Sequence, residues 1–196
     1  MRELTSLAVV APSQPNAMHS ELPPPAAAPI DVDALLGGAR QLQRAGESSP
    51  MHALLRGKNL GLVCEAEDDE DARRFCRAAG ALGARVSHIR PSVSGLGAGG
   101  DESLTHTARV LGRLYDGLEC QGLNTSVVDR LRRDAGVPVF DGLASPRHPT
   151  ARLTDRLAGT EPIEAKRLLV LQAALLFSLL NLPPTTGLAL ATKGTT

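Results

Sequence analysis

The chain is poor in the side chains that several function classes require. It has 196 residues, no tryptophan and only 2% aromatic residues, so it offers almost nothing on which single-stranded nucleic acid could stack. Lysine and arginine together number 21 and are balanced by 21 acidic residues, which gives a net charge of zero and no overall basic field. We therefore expect no nucleic-acid partner.

Cysteine is scarce as well. Cys64, Cys76 and Cys120 are far apart in the sequence and form no CxxC pair of the kind that holds a metal ion or a redox couple. An odd number of widely spaced cysteines suits a reducing compartment better than a disulfide framework. We predict a cytoplasmic protein without metal or cofactor, in which all three cysteines are small buried hydrophobic residues.

Long apolar runs are also absent. The apolar stretch at 7–11 is shorter than a signal-peptide core, so no secretion is expected. Residues 168–182 are apolar but interrupted by Gln172, Ser178 and Asn181, and they fall short of the roughly 20 residues that a bilayer requires. A buried or interface helix is favoured over the alternative of a membrane span, and no membrane partner is expected.

The two ends of the chain have the composition of tails. Residues 1–30 contain six prolines between positions 12 and 29 and few large apolar side chains, which predicts a disordered segment. Residues 183–196 begin with two prolines and are predicted to be flexible.

From residue 31 onward, apolar strands alternate with amphipathic helices. Strands are predicted at 60–64, 86–89, 118–120 and 137–140, and helices at 31–45, 68–82, 102–116 and 126–135, with Gly83 and Gly136 ending two of them. This alternation predicts a single α/β domain with a parallel, roughly four-stranded sheet covered by helices on both faces. Ligands of such sheets bind beyond the carboxyl ends of the strands. The loops there are 65–71, 95–100, 121–124 and 144–150.

The first of these loops is strongly acidic: six of the seven residues from 65 to 71 are aspartate or glutamate. It lies where a strand turns into a helix, a junction that ordinarily attracts anions because of its free N–H groups and helix dipole. One interpretation is structural: Asp68 or Asp69 caps the helix, and Arg73, Arg74 and Arg77 balance the acids. The alternative is a site for a metal ion or cationic amine, although the EF-hand ligand spacing is absent.

Four segments carry a resemblance to a known family. RGKNLGLVCE, ESLTHTARVLGRLYDGLE, GVPVFDGL and HPTARLTDRL, in this order and spacing, resemble the carbamoyl-phosphate-binding half of the ornithine and aspartate carbamoyltransferases, the ornithine branch more closely. The resemblance covers residues 31–158. It implies two α/β domains, the first binding carbamoyl phosphate and the second the amino acid, and a trimeric catalytic unit built through first-domain contacts. Here the second domain is expected to be missing, and 159–182 resembles the family's last helix, which packs back on the first domain.

The resemblance also identifies the positions of the phosphate site. In the family, the first strand leads into a Ser-Thr-Arg-Thr-Arg segment that grips the phosphate, and the aligned residues are Asp68, Asp69, Glu70, Asp71 and Ala72. All five differ from the family residue. A unit charge at 4 Å contributes about 1 kcal/mol in water and several times more in a shielded cleft, so a dianion should be repelled. Carbamoyl phosphate should not bind in the family's manner.

The other family contacts are retained only in part. A family arginine after the third strand corresponds to Gln121, and the glutamine of the His-Pro-x-Gln motif corresponds to Ala151. His148 and Thr150 remain, and the family histidine hydrogen-bonds the carbamoyl oxygen. The resemblance therefore makes His148 the candidate catalytic residue, and Gln121, His148 and Thr150 the remnants of a substrate site. The alternative is that His148 is a structural hydrogen-bonding group and Thr150 caps the following helix.

Two further departures concern the segment before and within ESLTHTAR. The family's mobile loop, which reaches a neighbouring subunit's active site and often contains a lysine, corresponds to a glycine-rich loop without lysine at 95–100. His106 stands in place of the family's usual aspartate, and Arg109 is expected to brace neighbouring acids.

The sequence therefore predicts a catalytically degenerate carbamoyltransferase-like protein. Its expected role is a non-catalytic subunit, as a homotrimer or in a hetero-oligomer with a full-length carbamoyltransferase. The alternative is a ligand-binding protein or enzyme of the family, with residual carbamoyl phosphate binding or new chemistry around His148 and the acidic loop.

Overall fold

A single parallel sheet organises the chain. The computed structural model describes residues 31–46, 53–94, 96 and 101–181, so the predicted tails and most of the loop at 95–100 lie outside the described residues. The strands are β1 Asn59–Val63, β2 Arg85–Ile89, β3 Gly117–Cys120 and β4 Val139–Asp141. They are all parallel and are arranged in the order β2-β1-β3-β4. The predicted α/β fold is confirmed, and the strand order reverses between β1 and β3.

Helices connect the strands and cover both faces of the sheet. They are α1 Val32–Ala45, α2 Glu70–Ala81, α3 Pro91–Ser94, α4 Asp101–Leu114, α5 Thr125–Asp134, a 3₁₀ helix at Pro149–Arg156, and α6 Ile163–Leu179. Gly83 and Gly136 follow α2 and α5 with φ of 83° and 71°, as predicted for residues that end a helix. β4 begins two residues later than predicted because Pro138, which lacks an N–H group, precedes it.

One face of the sheet is covered by α1, α2, the 3₁₀ helix and α6. Leu60 and Leu62 of β1 pack there with Phe75 of α2 and with Leu175 and Leu176 of α6, all fully buried. The predicted return of the C-terminal helix onto the domain is confirmed. The middle of α6, residues 170–176, is buried, in agreement with the predicted buried helix. Within the described ranges, no helix is both long and apolar enough to cross a bilayer.

The other face is covered by α4 and α5. A second cluster includes Leu111 of α4, Leu118 of β3 and Leu131 of α5. The two helices approach so closely at Gly112 that a Cβ there would lie 1.7 Å from the carbonyl oxygen of Ala135. Only glycine permits this contact, so Gly112 sets the packing of α4 on α5.

The cysteines differ from one another in burial. Cys64 and Cys120 are buried, and burial raises the pKa of their thiols to about 11 and about 12, so both stay protonated. Cys76 is exposed, and the prediction that it belongs to the buried face of α2 is wrong. Its place on that face is taken by Arg74, a residue that a hydrophobicity pattern assigns to solvent.

Candidate functional site

The predicted site residues lie at the carboxyl edge of the sheet. The acidic junction follows β1, residues 121–124 follow β3, and the turn that includes His148 follows β4. The acidic junction and residues 121–124 flank the point between β1 and β3 where the strand order reverses. The geometry of each segment decides what it can bind.

The N-terminus of α2 is occupied by the chain's own carboxylate. Asp69 is the N-cap residue, with φ −63° and ψ 150°, and its side chain accepts a hydrogen bond from the N–H of Glu70 at 2.8 Å. Nearby, Arg73 Nε donates to the carbonyl oxygen of Asp68 at 2.6 Å. The predicted cap is confirmed, and it falls on Asp69.

Arg74 is a buried hub beneath this junction. Its guanidinium is only 2% exposed and lies 2.6 Å from Glu70, 2.6 Å from Asp71 and 2.7 Å from Glu164 of α6. It also donates to the carbonyl oxygen of Ala144, at 3.0 Å. Burial works to lower the pKa of Arg74, but the hydrogen bond to Glu164 raises it above its usual value, so the side chain stays charged. The prediction that Arg74 balances the acids is confirmed for Glu70 and Asp71, and the structure shows in addition that its side chain is buried.

The other basic side chains of this region also have partners. Arg77 lies 3.2 Å from Glu164, and Arg167 of α6 lies 3.7 Å from the same carboxylate. His88 of β2 donates its Nε2–H to the carbonyl oxygen of Cys64 at 2.7 Å. The Arg77 contact connects α2 to α6, and the His88 contact connects β2 to the residue that follows β1.

Glu119 is a second functional group at this edge, and sequence reasoning missed it. It is fully buried on β3, where its carboxyl group accepts long hydrogen bonds from the N–H groups of Leu143 at 3.3 Å and Ala144 at 3.4 Å. The side-chain amide of Gln121 donates to it at 3.2 Å. Burial raises the pKa of Glu119 to about 7, although these hydrogen bonds act in the opposite direction. The available signal was a single acid within a four-residue strand that is otherwise apolar.

Gln121 is turned toward Glu119. Its Oε1 atom is buried and has no hydrogen-bond partner among the described residues. The position that the resemblance assigns to a phosphate-contacting arginine therefore holds an amide engaged with a neighbouring side chain.

His148 begins the 3₁₀ helix. It is the N-cap residue, and its Nδ1 atom lies 2.8 Å from Thr150 Oγ1 and accepts from the N–H of Thr150 at 3.3 Å. The prediction that Thr150 caps this helix is wrong, because the histidine ring performs that role and Thr150 is the capped residue. Burial lowers the pKa of His148, which favours the neutral ring with Nδ1 as the acceptor.

Two spaces adjoin these segments: a wide one of about 550 Å³ on the α2 and β2 side, lined by Glu67, Glu70, Arg73 and His88 among others, and a small one beside the His148 turn. A cavity of about 20 Å³ is lined by Arg74, Ser145, Thr150, Ala151 and Arg167, with apolar residues of α6 behind them. This volume admits about one water molecule. In the part of the chain that the structure describes, no group of three or more histidine, cysteine or acidic side chains could hold a metal ion.

The remaining predicted residues lie apart from this edge or differ from their expected roles. Ala72, at the last position of the phosphate-gripping segment, is fully buried in the core, where an arginine side chain has no room. Arg109 and His106 are exposed on α4, and neither forms an ion pair with a described residue. The expected bracing role of Arg109 is not observed.

Residues 27–161 match the sequence model of a family described as aspartate/ornithine carbamoyltransferase, carbamoyl-P binding domain. The chain belongs to the aspartate/ornithine carbamoyltransferase family. It is 42% identical over 134 residues to an ornithine carbamoyltransferase of Cutibacterium acnes, which covers 68% of this chain and 40% of that protein. It is 41% identical over 131 residues to the Haemophilus influenzae enzyme of the same name, covering 67% and 39%. The predicted family membership is confirmed.

The fold agrees with this family. The structure of ornithine carbamoyltransferase from Pyrococcus furiosus matches with a TM-score of 0.54 and 27% identity, over 64% of this chain and 39% of that one. The chain thus spans about two fifths of the length of the curated relatives it matches.

Within the family domain, the structure brings together what the sequence predicted separately. Arg74 holds Glu70 and Asp71 on one side and the carbonyl oxygen of Ala144 on the other. The N–H of Ala144 is in turn held by Glu119. The acidic junction, the Gln121 side chain and the His148 turn therefore belong to one continuous hydrogen-bonded network centred on residues 143–144.

Proposed function

We propose that this family domain does not bind carbamoyl phosphate in the family's manner and that it serves as a non-catalytic subunit, either of a homotrimer or of a hetero-oligomer with a full-length carbamoyltransferase. The loss of carbamoyl phosphate binding is supported by the inward position of Arg74, whose guanidinium pairs with the chain's own carboxylates.

A phosphate dianion at the start of α2 would meet the carboxylates of Asp68 to Asp71, of which Asp69 already accepts the helix N–H group that an anion would use. Two guanidinium groups lie beside these carboxylates. Arg74 is buried and bound to three acids, and Arg73, which is exposed, donates to the carbonyl oxygen of Asp68. One exposed guanidinium beside four carboxylates leaves a net repulsion, which disfavours a dianion here.

The cavity beside the His148 turn is too small for the family substrate. It holds about 20 Å³, and its walls include Thr150 and Ala151, the positions of the His-Pro-x-Gln segment. A space for one water molecule cannot receive a carbamoyl phosphate. Binding inside this cavity would require α2, the turn at 143–145 and α6 to separate, which would break the contacts of Arg74.

Isothermal titration of the full chain with carbamoyl phosphate at low salt tests this proposal. We expect no binding tighter than about 1 mM, which corresponds to about 4 kcal/mol. Tighter binding would contradict the electrostatic argument.

A restored variant makes the test two-sided. This variant carries the family residues at the aligned positions, except that Ala72 is kept because it is buried. Its substitutions are Asp68→Ser, Asp69→Thr, Glu70→Arg, Asp71→Thr and Gln121→Arg. We expect measurable binding in this variant only. A matched variant with Glu70→Gln in place of Glu70→Arg and with Gln121 unchanged removes the repulsion without adding cations. It separates the effect of lost repulsion from that of restored attraction.

The subunit part of the proposal rests on the family resemblance, which places trimer contacts in this domain. Val110 and Leu114 lie one turn apart on α4 and are 38% and 61% exposed, so this helix retains apolar surface for such a contact. Size-exclusion chromatography with light scattering, with and without a full-length ornithine carbamoyltransferase, measures assembly. We expect a trimer alone or a mixed complex, and a monomer that ignores the enzyme would contradict the proposal.

One observation favours a second candidate function. His148 is held by Thr150 through Nδ1, while its Nε2 atom has no hydrogen-bond partner among the described residues. A neutral imidazole with an unengaged N–H could bind a carbonyl or another acceptor, as in a ligand-binding protein. Thermal-shift screening of phosphorylated, amine and metal-ion ligands tests this candidate, since a stabilisation of several degrees would require a pocket. His148→Asn, which retains a capping side chain, is the matched control.

A further inference from the structure

Among the residues that the structure describes, no cation contacts the buried carboxyl group of Glu119, although such a group normally requires one. It is fully buried, and its three hydrogen-bond donors are two backbone N–H groups and the amide of Gln121, all neutral and all at 3.2 Å or more. A buried carboxylate is costly unless it is paired with an opposite charge. Burial without a contacting cation therefore suits a neutral, protonated carboxyl group better than a charged one.

The groups that face Glu119 from the surrounding elements do not change this conclusion. These groups, on or beside β1, β3, β4, α5 and α2, are Cys64, Cys120, Asp141, Arg132 and Arg74. The two thiols are neutral, and Asp141 adds repulsion. Arg132 lies 4.0 Å from Asp141, and Arg74 binds the carbonyl side of Ala144, so neither guanidinium contacts Glu119.

A protonated carboxyl group needs an acceptor for its O–H, and one lies next to it. Gln121 Oε1 is buried without a partner among the described residues, while the other end of the same amide is 3.2 Å from Glu119. Turning this amide by half a rotation about its terminal bond places Oε1 against the Glu119 hydroxyl. The unpartnered oxygen and the uncompensated carboxyl group then satisfy each other.

We propose that Glu119 and Gln121 form a proton-binding site at the carboxyl edge of the sheet, in which the protonated Glu119 donates to the amide oxygen of Gln121 and loss of the proton turns the amide around. In the deprotonated state, the amide N–H₂ faces Glu119 and its oxygen points away, as in the arrangement described above. The proton thus decides whether the free end of the Gln121 amide is a donor or an acceptor. This site stands whether or not the domain binds a phosphate compound.

The site links the stability of the domain to pH. Burial raises the pKa of Glu119 from 4.5 to about 7 in the folded chain, so between these values the folded state holds a proton that the unfolded state has released. The stabilisation is fully present below pH 4.5 and is lost as the pH rises to about 7. Because Glu119 accepts from Leu143 and Ala144, its charge also acts on the turn that leads to His148.

Infrared difference spectroscopy of the full chain tests the site directly. We expect the C=O stretch of a protonated carboxyl group at pH 6, its loss with a midpoint near pH 7, and its absence from Glu119→Gln. Glu102→Gln, at an exposed position of α4, is the control and should leave the band unchanged. Absence of the band in the unaltered protein at pH 6 would overturn the proposal, even if Glu119→Gln fails to fold.

A second variant tests the role of Gln121. Gln121→Arg places a guanidinium beside the carboxyl group, and we expect the midpoint to move at least one pH unit lower, a tenfold change in proton affinity. An unchanged midpoint would show that residue 121 does not contact the titrating group. Chemical unfolding adds a readout: the stability advantage of Glu119→Gln over the unaltered chain should grow between pH 5 and pH 7 and then level off. A constant difference would contradict the proton linkage.

Discussion

The acidic residues at the start of α2 and the single acid on β3 lie at the same edge of the sheet but have opposite surroundings. Glu70 and Asp71 reach solvent and share Arg74 with Glu164, whereas Glu119 is fully buried among neutral donors. Burial works to raise the pKa of Glu164, yet the hydrogen bond from Arg74 brings it below its usual value; at Glu119 burial prevails and the pKa rises to about 7.

The charge of an acidic side chain at this edge therefore depends on its partner more than on its residue type. A guanidinium in contact keeps Glu164 ionised although it is partly buried. Two backbone N–H groups and the amide of Gln121 do not offset burial at Glu119, whose pKa of about 7 leaves it only partly ionised at neutral pH. The informative experiments therefore remove the guanidinium partner from the acids of α2 and α6, or place a guanidinium beside Glu119.

Removing Arg74 should have the largest effect. Arg74→Met deletes the guanidinium that holds three carboxylates and the Ala144 carbonyl, and we expect a loss of about 3 kcal/mol in the free energy of unfolding. This is the low end for breaking a buried ion pair, because the carboxylates left behind reach solvent. Arg77→Met, at an exposed arginine bound to Glu164, is the control and should cost under about 1 kcal/mol. Equal losses in urea unfolding would show that Arg74 is not a hub.

The cap of α2 should come next. Asp69→Ala leaves the N–H of Glu70 without its side-chain acceptor, and we expect a loss of about 1 kcal/mol, measured by chemical unfolding. Asp69→Ser keeps a capping oxygen while removing the charge, so it should be close to neutral. If serine were as harmful as alanine, the carboxylate charge and not the cap would be the stabilising feature.

Within the acidic run, position should matter more than charge. Asp71 is half-buried and lies 2.6 Å from Arg74, so Asp71→Asn should lower the free energy of unfolding by up to about 1 kcal/mol. Asp68→Asn removes the same charge at an exposed position and should stay within about 0.5 kcal/mol. Similar effects of the two substitutions would mean that net charge governs the junction.

The smallest effect is expected at His148 and should appear only in acid. Burial lowers the pKa of its ring, so the folded state prefers the neutral form, and the stability it contributes above pH 6.5 is lost as the pH falls through the folded value. His148→Asn should remove this part of the acid dependence while retaining a cap. Unchanged acid dependence in unfolding titrations from pH 7 to pH 5 would contradict the assignment.

Much of the fold follows from local patterns in the sequence. Four apolar strands, amphipathic helices between them and glycines at 83 and 136 suffice to predict a parallel α/β sheet, because periodicity and turn chemistry act over a few residues. The cap at the start of α2 follows in the same way, and only its precise residue, Asp69, came from the structure.

The candidate site was less predictable because its contacts join residues far apart in the chain. The sequence predicts a buried Cys76, but in the structure this side chain is exposed, and Arg74 of the same helix is buried. Arg74 is inside because Glu164, ninety residues away, supplies a carboxylate there. The cap of the 3₁₀ helix fell on His148 instead of Thr150 because the backbone turn brings the imidazole, one residue before Pro149, onto the N–H of Thr150.

Contiguous residues are enough to identify the family, the parallel sheet and the replacement of a phosphate-gripping segment by carboxylates. The partners of those carboxylates follow from tertiary structure, because ion pairing depends on distances between separate elements. Arg74 pairs with the acids of α2 and α6, and among the described residues no cation contacts Glu119. The Coulomb energy of an ion pair and the cost of burying a charge both depend on tertiary position, which no local pattern encodes.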